Sequence, residues 1–161
     1  MTTDHGLLIT VSPIPYWPKV QYPTAAHFWQ YCFCVTKPRS LIAVVDDEES
    51  IRKALTRLLQ SAGLDVETFA SGARFLESIL TRRPDCVVLD LHMPVMNGFE
   101  VQARLAESVT PVPVVIITGH DSAETHDRAL AGRPIAYLRK PVDDQTLLDA
   151  IKLALAHKRT S

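Results

Sequence analysis

From Leu41 onward, short apolar runs alternate with segments whose apolar residues recur at helical spacing, and this alternation leaves few folds open. The first run, Leu41-Ile42-Ala43-Val44-Val45, contains no polar residue and stops abruptly at two aspartates. Runs of this kind are typical of strands that are buried on both faces of a parallel sheet. Together with this run, five strands are predicted, at residues 41–45, 65–69, 86–90, 112–118 and 135–138.

Helical segments separate these predicted strands. The first carries Ile51, Leu55 and Leu59 on one side, and Gly63 supplies its C-terminal stop. Four more are predicted at about residues 71–81, 97–106, 122–130 and 143–157. Strict alternation of strands and helices predicts a doubly wound α/β fold, in which helices cover both faces of a parallel sheet.

Composition changes near residue 40. The first forty residues hold seven of the eleven aromatic residues and five of the eleven prolines, with Asp4 as their single acidic residue. Proline interrupts both helices and strands, so we expect an irregular extension at 1–40, a folded domain at 41–158 and a short tail at 159–161. Translation from a start codon upstream of the true one would also produce such an extension. The functional alternative is an arm that touches a partner or a membrane through Trp17 and Trp29.

Overall charge and composition exclude several classes of protein. The formal charge is −1 and hydrophobic residues make up 47% of the chain, which fits a soluble protein without an electrostatic attraction to nucleic acid or anionic membranes. The N-terminus lacks the positive charge of a secretory signal, and three cysteines are too few for a disulfide framework. We read Cys32 and Cys34 as structural thiols. We therefore expect a cytoplasmic protein.

Acidic residues follow two of the predicted strands. Asp46 and Asp47 come after the first strand, and Asp90 ends the third. In open parallel sheets, ligands bind beyond the carboxyl ends of the strands, so neighbouring first and third strands would bring three carboxylates together. Such carboxylates repel one another unless a cation is present, and hard oxygen ligands suit Mg²⁺ or Mn²⁺. The alternative is that these acids cap helices or solvate turns.

Two further polar residues lie at the same predicted edge. Thr118 ends the fourth strand and offers a hydroxyl, and Lys140 follows the fifth strand and offers a positive charge. Taken singly, a strand-end threonine is usually a turn residue, and a lysine near acids can simply neutralise them. Together with a metal and one carboxylate oxygen left free to attack, they provide the parts that phosphoryl transfer to a carboxylate needs.

Four segments, each at a predicted strand end, resemble bacterial response-regulator receiver domains. They are Val44-Val45-Asp46-Asp47-Glu48, Asp90-Leu91-His92-Met93-Pro94-Val95-Met96-Asn97-Gly98, Thr118-Gly119 and Tyr137-Leu138-Arg139-Lys140-Pro141. The resemblance covers about residues 41–158 and implies a flavodoxin-like, doubly wound, five-stranded parallel sheet with five helices and strand order 2-1-3-4-5. Residues 66–69 and 118–120 look most similar to the receivers of nitrogen-fixation-type regulators.

The resemblance also implies a phosphoacceptor and a set of metal ligands. Asp90 would accept the phosphoryl group. Asp47 would bind Mg²⁺ directly, Asp46 would help directly or through water, and the backbone carbonyl of His92 would complete the protein ligands. The His92 side chain, two positions after the acceptor, would tune the lifetime of the phosphoryl group; a solvated loop histidine is the alternative.

Further implied roles concern the response to phosphorylation. Lys140 would contact the phosphoryl group, and Thr118 would hydrogen-bond to it once it is transferred. Tyr137 would turn inward when Thr118 moves, although an ordinary half-buried strand tyrosine is the alternative. The Lys140–Pro141 bond would be cis, which helps to aim the lysine. Arg133 replaces an acid often used in symmetric dimer contacts, so we expect a monomer or a weak dimer.

These implications predict a single-domain response regulator rather than an enzyme. It would take its phosphoryl group from a sensor histidine kinase or a phosphotransfer protein and pass the signal to a downstream protein, because the twenty residues after Pro141 hold one helix and a short tail. A haloacid-dehalogenase-like phosphatase is the enzyme alternative, but that class has a second aspartate where this chain has His92. A degenerate receiver that binds partners without phosphorylation is the third possibility. A nucleotide-binding module is disfavoured because no G-x-G-x-x-G follows the first strand.

Overall fold

The computed structural model describes residues 39–108, 111–120 and 122–158 of the chain. Five parallel strands form one sheet in the order β2-β1-β3-β4-β5, which confirms the predicted fold class. The strands are β1 (Leu41–Val45), β2 (Asp65–Phe69), β3 (Cys86–Asp90), β4 (Val114–Thr118) and β5 (Ala136–Arg139). The helices are α1 (Glu49–Ser61), α2 (Gly72–Ser78), α3 (Gly98–Ala106), α4 (Ala123–Ala131) and α5 (Asp144–Lys158).

The division into an extension and a domain stays a prediction, because residues 1–38 and 159–161 lie outside the described residues.

Both faces of the sheet are covered, as the uninterrupted apolar runs predicted. Ala43 and Val45 of β1 pack into a cluster with side chains from α2, α3 and α4, whereas Ile42 and Val44 pack into a second cluster with α1 and α5. Alternate strand residues point to opposite faces, so every residue of such a strand must be apolar to be buried. None of the helices in the described residues is long and apolar enough to cross a bilayer.

Three element boundaries differ from the sequence prediction by a few residues. β4 begins at Val114 rather than at residue 112, because Pro113 has no N–H to donate and only its carbonyl joins the sheet, by accepting from Val87 N at 3.0 Å. β5 begins and ends one residue later than predicted, at Ala136 and Arg139. α2 ends at Ser78 rather than near Thr81, since the bonds that follow it include shorter-range turns, such as Thr81 N to Ser78 O at 3.0 Å.

Asp85 ties three elements together at the edge of the sheet opposite to the strand-end acids. Its Oδ2 accepts a hydrogen bond from Leu41 N at 2.8 Å, and its Oδ1 accepts one from Lys158 Nζ at 2.7 Å. Burial alone would raise the pKa of this carboxyl, but the bonds from Lys158 and Leu41 outweigh burial and lower it. The start of β1, the start of β3 and the end of α5 therefore share one ionised carboxylate.

The loop between β3 and α3 contains a turn with an unfavourable residue at its centre. Met96 N donates to Pro94 O at 2.9 Å, which closes a three-residue γ-turn around Val95. Val95 has φ of 72° and is fully exposed. A β-branched residue is rarely found at positive φ, because its side chain crowds the backbone there. The backbone of this loop is therefore strained, and the exposed Val95 side chain gains no burial that would offset the strain.

Replacing Asp85 with Asn should lower the free energy of unfolding at neutral pH and reduce its dependence on pH. The folded-state pKa of Asp85 is depressed, so its contribution is present above the unfolded-state pKa of about 4 and is lost as pH falls through the folded value. Urea unfolding from about pH 7 down to about pH 3 should show the difference between wild type and variant shrinking below about pH 5. Glu124→Gln, which changes an exposed acid of α4, is the control. A pH-independent difference would contradict the assignment.

Replacing Val95 with Gly should raise the free energy of unfolding by about 1 kcal/mol, because strain relief of about 1–3 kcal/mol exceeds the added chain entropy of glycine. Val95→Ala retains Cβ and should give a smaller gain, and Val95→Ile should give none. Equilibrium denaturation of the three variants measures this order. A destabilised Gly variant would show that the turn is not strained.

Candidate functional site

The carboxyl ends of β1 and β3 bring three carboxylates together. Oxygen atoms of Asp46, Asp47 and Asp90 all lie within 4.8 Å of one another. β1 and β3 are adjacent and parallel, and the strand order reverses between them, so the residues that follow Val45 meet the end of β3. Asp46 and Asp90 are buried, whereas Asp47 is exposed. The acids therefore form one cluster, although Asp46 also stabilises the turn after β1 by accepting from Glu48 N at 2.8 Å.

Gly98 fixes the position of Asp90 relative to α3. Its N–H donates to Leu91 O at 3.1 Å, and a Cβ at this position would collide with the carbonyl oxygen of Asp90. The first turn of α3 can therefore lie directly against the backbone of the strand end only because residue 98 is glycine. Asn97 begins the helix, since its Oδ1 accepts from Glu100 N at 3.0 Å.

Lys140 reaches the acid cluster from the end of β5. Its Nζ donates to Asp46 Oδ2 at 2.7 Å and lies 3.5 Å from Asp90 Oδ2 and 3.9 Å from Glu48 Oε1. Its backbone N–H donates to Thr118 O at 2.8 Å. The Lys140–Pro141 peptide bond is cis, the isomer that the resemblance implied.

The Asp90 carboxylate is more enclosed than the sequence suggested. We expected one oxygen to be free for attack, but only 5% of the Asp90 side chain is exposed, and Lys140 Nζ lies against it. The carboxylate is therefore closely covered in this structure, with the ammonium group of Lys140 as one of its neighbours.

Burial and the neighbouring charges shift the pKa values of Asp90 and Lys140. Burial raises the pKa of Asp90, and the nearby charge of Asp46 adds to this, while Lys140 and the backbone amide of His92 only partly compensate. Burial is also the largest influence on Lys140 and lowers its pKa. The bond to Asp46 and the charges of Asp90, Asp46 and Glu48 together outweigh burial, so the pKa of Lys140 is raised. The lysine thus stays protonated, and the acid cluster favours additional positive charge.

The cluster has the donor chemistry of a site for a hard divalent cation. Three carboxylates offer only oxygen, which suits Mg²⁺ or Mn²⁺. Both oxygens of Asp46 already accept hydrogen bonds, from Glu48 N at 2.8 Å and from Lys140. Asp47 is the exposed member and can meet an ion directly, while Asp46 is better placed to act through water. The residues therefore fit the predicted metal.

Arg52 supports the loop that carries the acids, and the sequence analysis did not identify it. Its Nη1 donates to the backbone carbonyls of Asp46 at 2.7 Å and Asp47 at 2.8 Å. Arg52 lies in the first turn of α1, which places its side chain beside the loop that precedes the helix. The sequence does show an arginine five residues after Asp47, which could have suggested this contact. The apolar pattern used to predict the helices gives no information about it.

Thr118 is buried at the end of β4 and joins a small hydrogen-bond network. Its Oγ1 donates to His120 O at 3.0 Å and accepts from His120 N at 3.3 Å. His92 Nδ1 lies 3.0 Å from the same oxygen, and the His92 and His120 rings have centroids 5.4 Å apart. His92 is exposed but not merely solvated, since its ring contacts Thr118. This network was missed because it depends on side-chain rotamers.

Tyr137 lies at the boundary between β5 and α4. It is half-buried beside the core cluster of α2, α3 and α4. The ring of His126 packs edge-on against it, with centroids 4.8 Å apart and an interplanar angle of 82°. Arg128 of the same helix lies over the Phe99 ring of α3, 4.3 Å from its centroid. Tyr137 thus contacts α4 through the ring of His126.

Comparison with known proteins shows which family this fold belongs to. Residues 42–152 match the response regulator receiver domain. Nodulation protein W of Bradyrhizobium diazoefficiens is 36% identical over 121 residues, which cover 75% of this chain and 53% of that protein. The transcriptional regulatory protein TdiR of Thauera aromatica is 38% identical over 120 residues, covering 74% and 53%. The structure of the chemotaxis protein CheY4 of Vibrio cholerae matches with a TM-score of 0.66 and 34% identity, covering 73% of this chain and 99% of that one. The chain spans about half the length of the curated relatives it matches.

Replacing Arg52 with Met should weaken Mg²⁺ binding about tenfold, because the carbonyls of Asp46 and Asp47 lose the donor that orients their loop. Loss of a positive charge alone would strengthen the binding of a cation, so the two effects have opposite signs. Arg52→Gln keeps an N–H donor without the charge and should bind Mg²⁺ at least as tightly as wild type. Calorimetric titration with Mg²⁺ measures both variants. Tighter binding by the Met variant would show that charge, and not orientation, dominates.

Proposed function

The chain belongs to the response regulator receiver domain family, and on that premise we propose that Asp90 accepts a phosphoryl group from a histidine kinase or phosphotransfer protein. Receiver domains are signalling modules rather than enzymes in the usual sense. The observation that carries the proposal is the gathering of Asp46, Asp47 and Asp90 beside the ammonium group of Lys140.

The transfer step follows from the position of the Asp90 carboxylate. One of its oxygens attacks phosphorus, the bond from phosphorus to the donor's imidazole nitrogen breaks, and an acyl phosphate forms. Asp47, Asp46 and the backbone carbonyl of His92 would hold Mg²⁺, which supplies neutralisation of the charge on the transferring group. Reactions of this type depend on positioning and charge neutralisation more than on proton transfer.

Lys140 and Thr118 would bind the transferred group. Lys140 Nζ lies 3.5 Å from Asp90 Oδ2, so a phosphoryl group on Asp90 would meet this ammonium group within a short side-chain movement. Its contact with Asp46 keeps the lysine charged and pointed at the site when the phosphoryl group is absent. Thr118 ends the neighbouring strand and would donate its hydroxyl hydrogen to a phosphoryl oxygen.

The signal would leave through the face formed by α4, β5 and α5. When Thr118 turns to the phosphoryl group, the loop after β4 follows, and Tyr137 turns inward and away from His126. The packing between α4 and β5 then changes, and a partner protein reads the altered face. We propose a downstream protein rather than nucleic acid as the direct partner, a cytoplasmic location, and a chain that acts as a monomer or a weak dimer. Membership of the nitrogen-fixation-type subgroup stays a prediction.

Incubation with Mg²⁺ and radiolabelled acetyl phosphate should give up to one acid-stable, base-labile phosphoryl group per chain. Asp90→Asn should abolish the label, because an amide oxygen is too weak a nucleophile, and chelation of Mg²⁺ should abolish it in wild type. Asp127→Asn, on the exposed side of α4, should label normally. Release of many phosphates per chain would indicate a phosphatase, and absence of label would indicate a receiver that acts without phosphorylation.

A further inference from the structure

The hydroxyl group of Thr118 has no hydrogen-bonding capacity left in this structure. A threonine hydroxyl can donate one hydrogen bond and accept two. Three contacts fill these positions: His120 O at 3.0 Å, His120 N at 3.3 Å and His92 Nδ1 at 3.0 Å. Thr118 is 1% exposed, so water has little access to replace any of them.

The roles of the three partners can be assigned from their chemistry. The carbonyl oxygen of His120 can only accept, so it takes the single hydroxyl hydrogen. The backbone N–H of His120 can only donate. The contact with His92 is then a hydrogen bond only if Nδ1 carries the hydrogen and donates it to Thr118 Oγ1. The network therefore places a hydrogen on Nδ1 of the His92 ring.

This arrangement opposes the movement that the proposed function requires. Thr118 has one hydrogen to donate, so donating it to a phosphoryl oxygen means withdrawing it from His120 O. Turning Oγ1 towards Asp90 also breaks the bonds from His120 N and His92 Nδ1. Buried polar groups that lose their partners carry a free-energy penalty. Each bond in the network thus favours the unphosphorylated conformation.

We propose that His92 is a positioning residue that holds Thr118 in the resting arrangement and thereby sets how strongly a phosphoryl group must bind to switch the domain. The proposal rests on the proposed function of Asp90 and Thr118. It differs from a role in tuning water attack on the acyl phosphate, because it acts before any phosphoryl group is present. His92 is the partner that can be tested by substitution, since both other bonds come from the backbone of His120.

Affinity for beryllofluoride, a phosphoryl mimic, measures the proposed effect in the presence of Mg²⁺. If one hydrogen bond favours the resting state, its removal in His92→Ala should lower the apparent Kd about fivefold. His92→Asn is the conservative rescue variant, because its side-chain N–H can donate to Thr118, and its Kd should return towards that of wild type. His92→Phe retains a ring without a donor and should resemble the Ala variant. An unchanged or weakened affinity in His92→Ala would overturn the proposal.

A double-mutant cycle separates this contact from an effect of His92 on access to the site. In a Thr118→Val background, the substitution His92→Ala should leave the beryllofluoride Kd unchanged, because the acceptor oxygen is gone. A fivefold change that persists without the Thr118 hydroxyl would show that His92 acts on the site by another route.

Nitrogen-15 NMR of the His92 ring tests the contact itself and needs no phosphoryl mimic. In the wild-type protein, the shifts should report a hydrogen on Nδ1. They should change to those of Nε2–H or a tautomer mixture in Thr118→Val. A wild-type ring in the Nε2–H form would overturn the proposal even if Asp90 is phosphorylated. If His92 carries Nδ1–H but Asp90 is never labelled, the contact with Thr118 is confirmed and the proposed function of Asp90 is wrong.

Discussion

Repulsion among three carboxylates is the interaction on which the rest of the site depends. The parallel sheet brings Asp46, Asp47 and Asp90 to one point, and two of them are withdrawn from water. Such an arrangement is tolerable because Lys140 donates to Asp46 and lies near Asp90. The site is consequently sensitive to any added charge, whether from a cation or from a phosphoryl group.

Most of the fold, and the meeting of the three aspartates at one end of the sheet, could be predicted from the sequence. Val44 and Val45 run directly into Asp46, so the end of a buried strand is marked by an abrupt change from apolar to charged residues. The rule that parallel strands present their carboxyl ends at one edge then brings Asp90 and Lys140 to the same place. Local patterns and this topological rule do not depend on side-chain conformation, and the resemblance to receiver domains supplied the strand order that makes β1 and β3 neighbours.

The sequence could not predict contacts that depend on rotamers or on long side chains. Arg52 bonds two carbonyls across a turn, and the network around Thr118 requires a particular direction of the His92 ring. The enclosure of Asp90 by Lys140 is of the same kind, since it arises from where a flexible side chain comes to rest. These contacts affect the chemistry of the site, but they produce no periodic pattern in the sequence.

The close approach of α3 to the strand end fixes one side of the site. With Gly98 in contact with the backbone of Asp90, the first turn of α3 has no room to move towards the acceptor. α4 is held on α3 and β5 by the Arg128 side chain over the Phe99 ring, by the His126 ring against Tyr137, and by a hydrogen bond from Gln102 Nε2 to Ala129 O at 3.0 Å. A group added to Asp90 must therefore be accommodated by side chains, because α3 cannot come closer to the strand end.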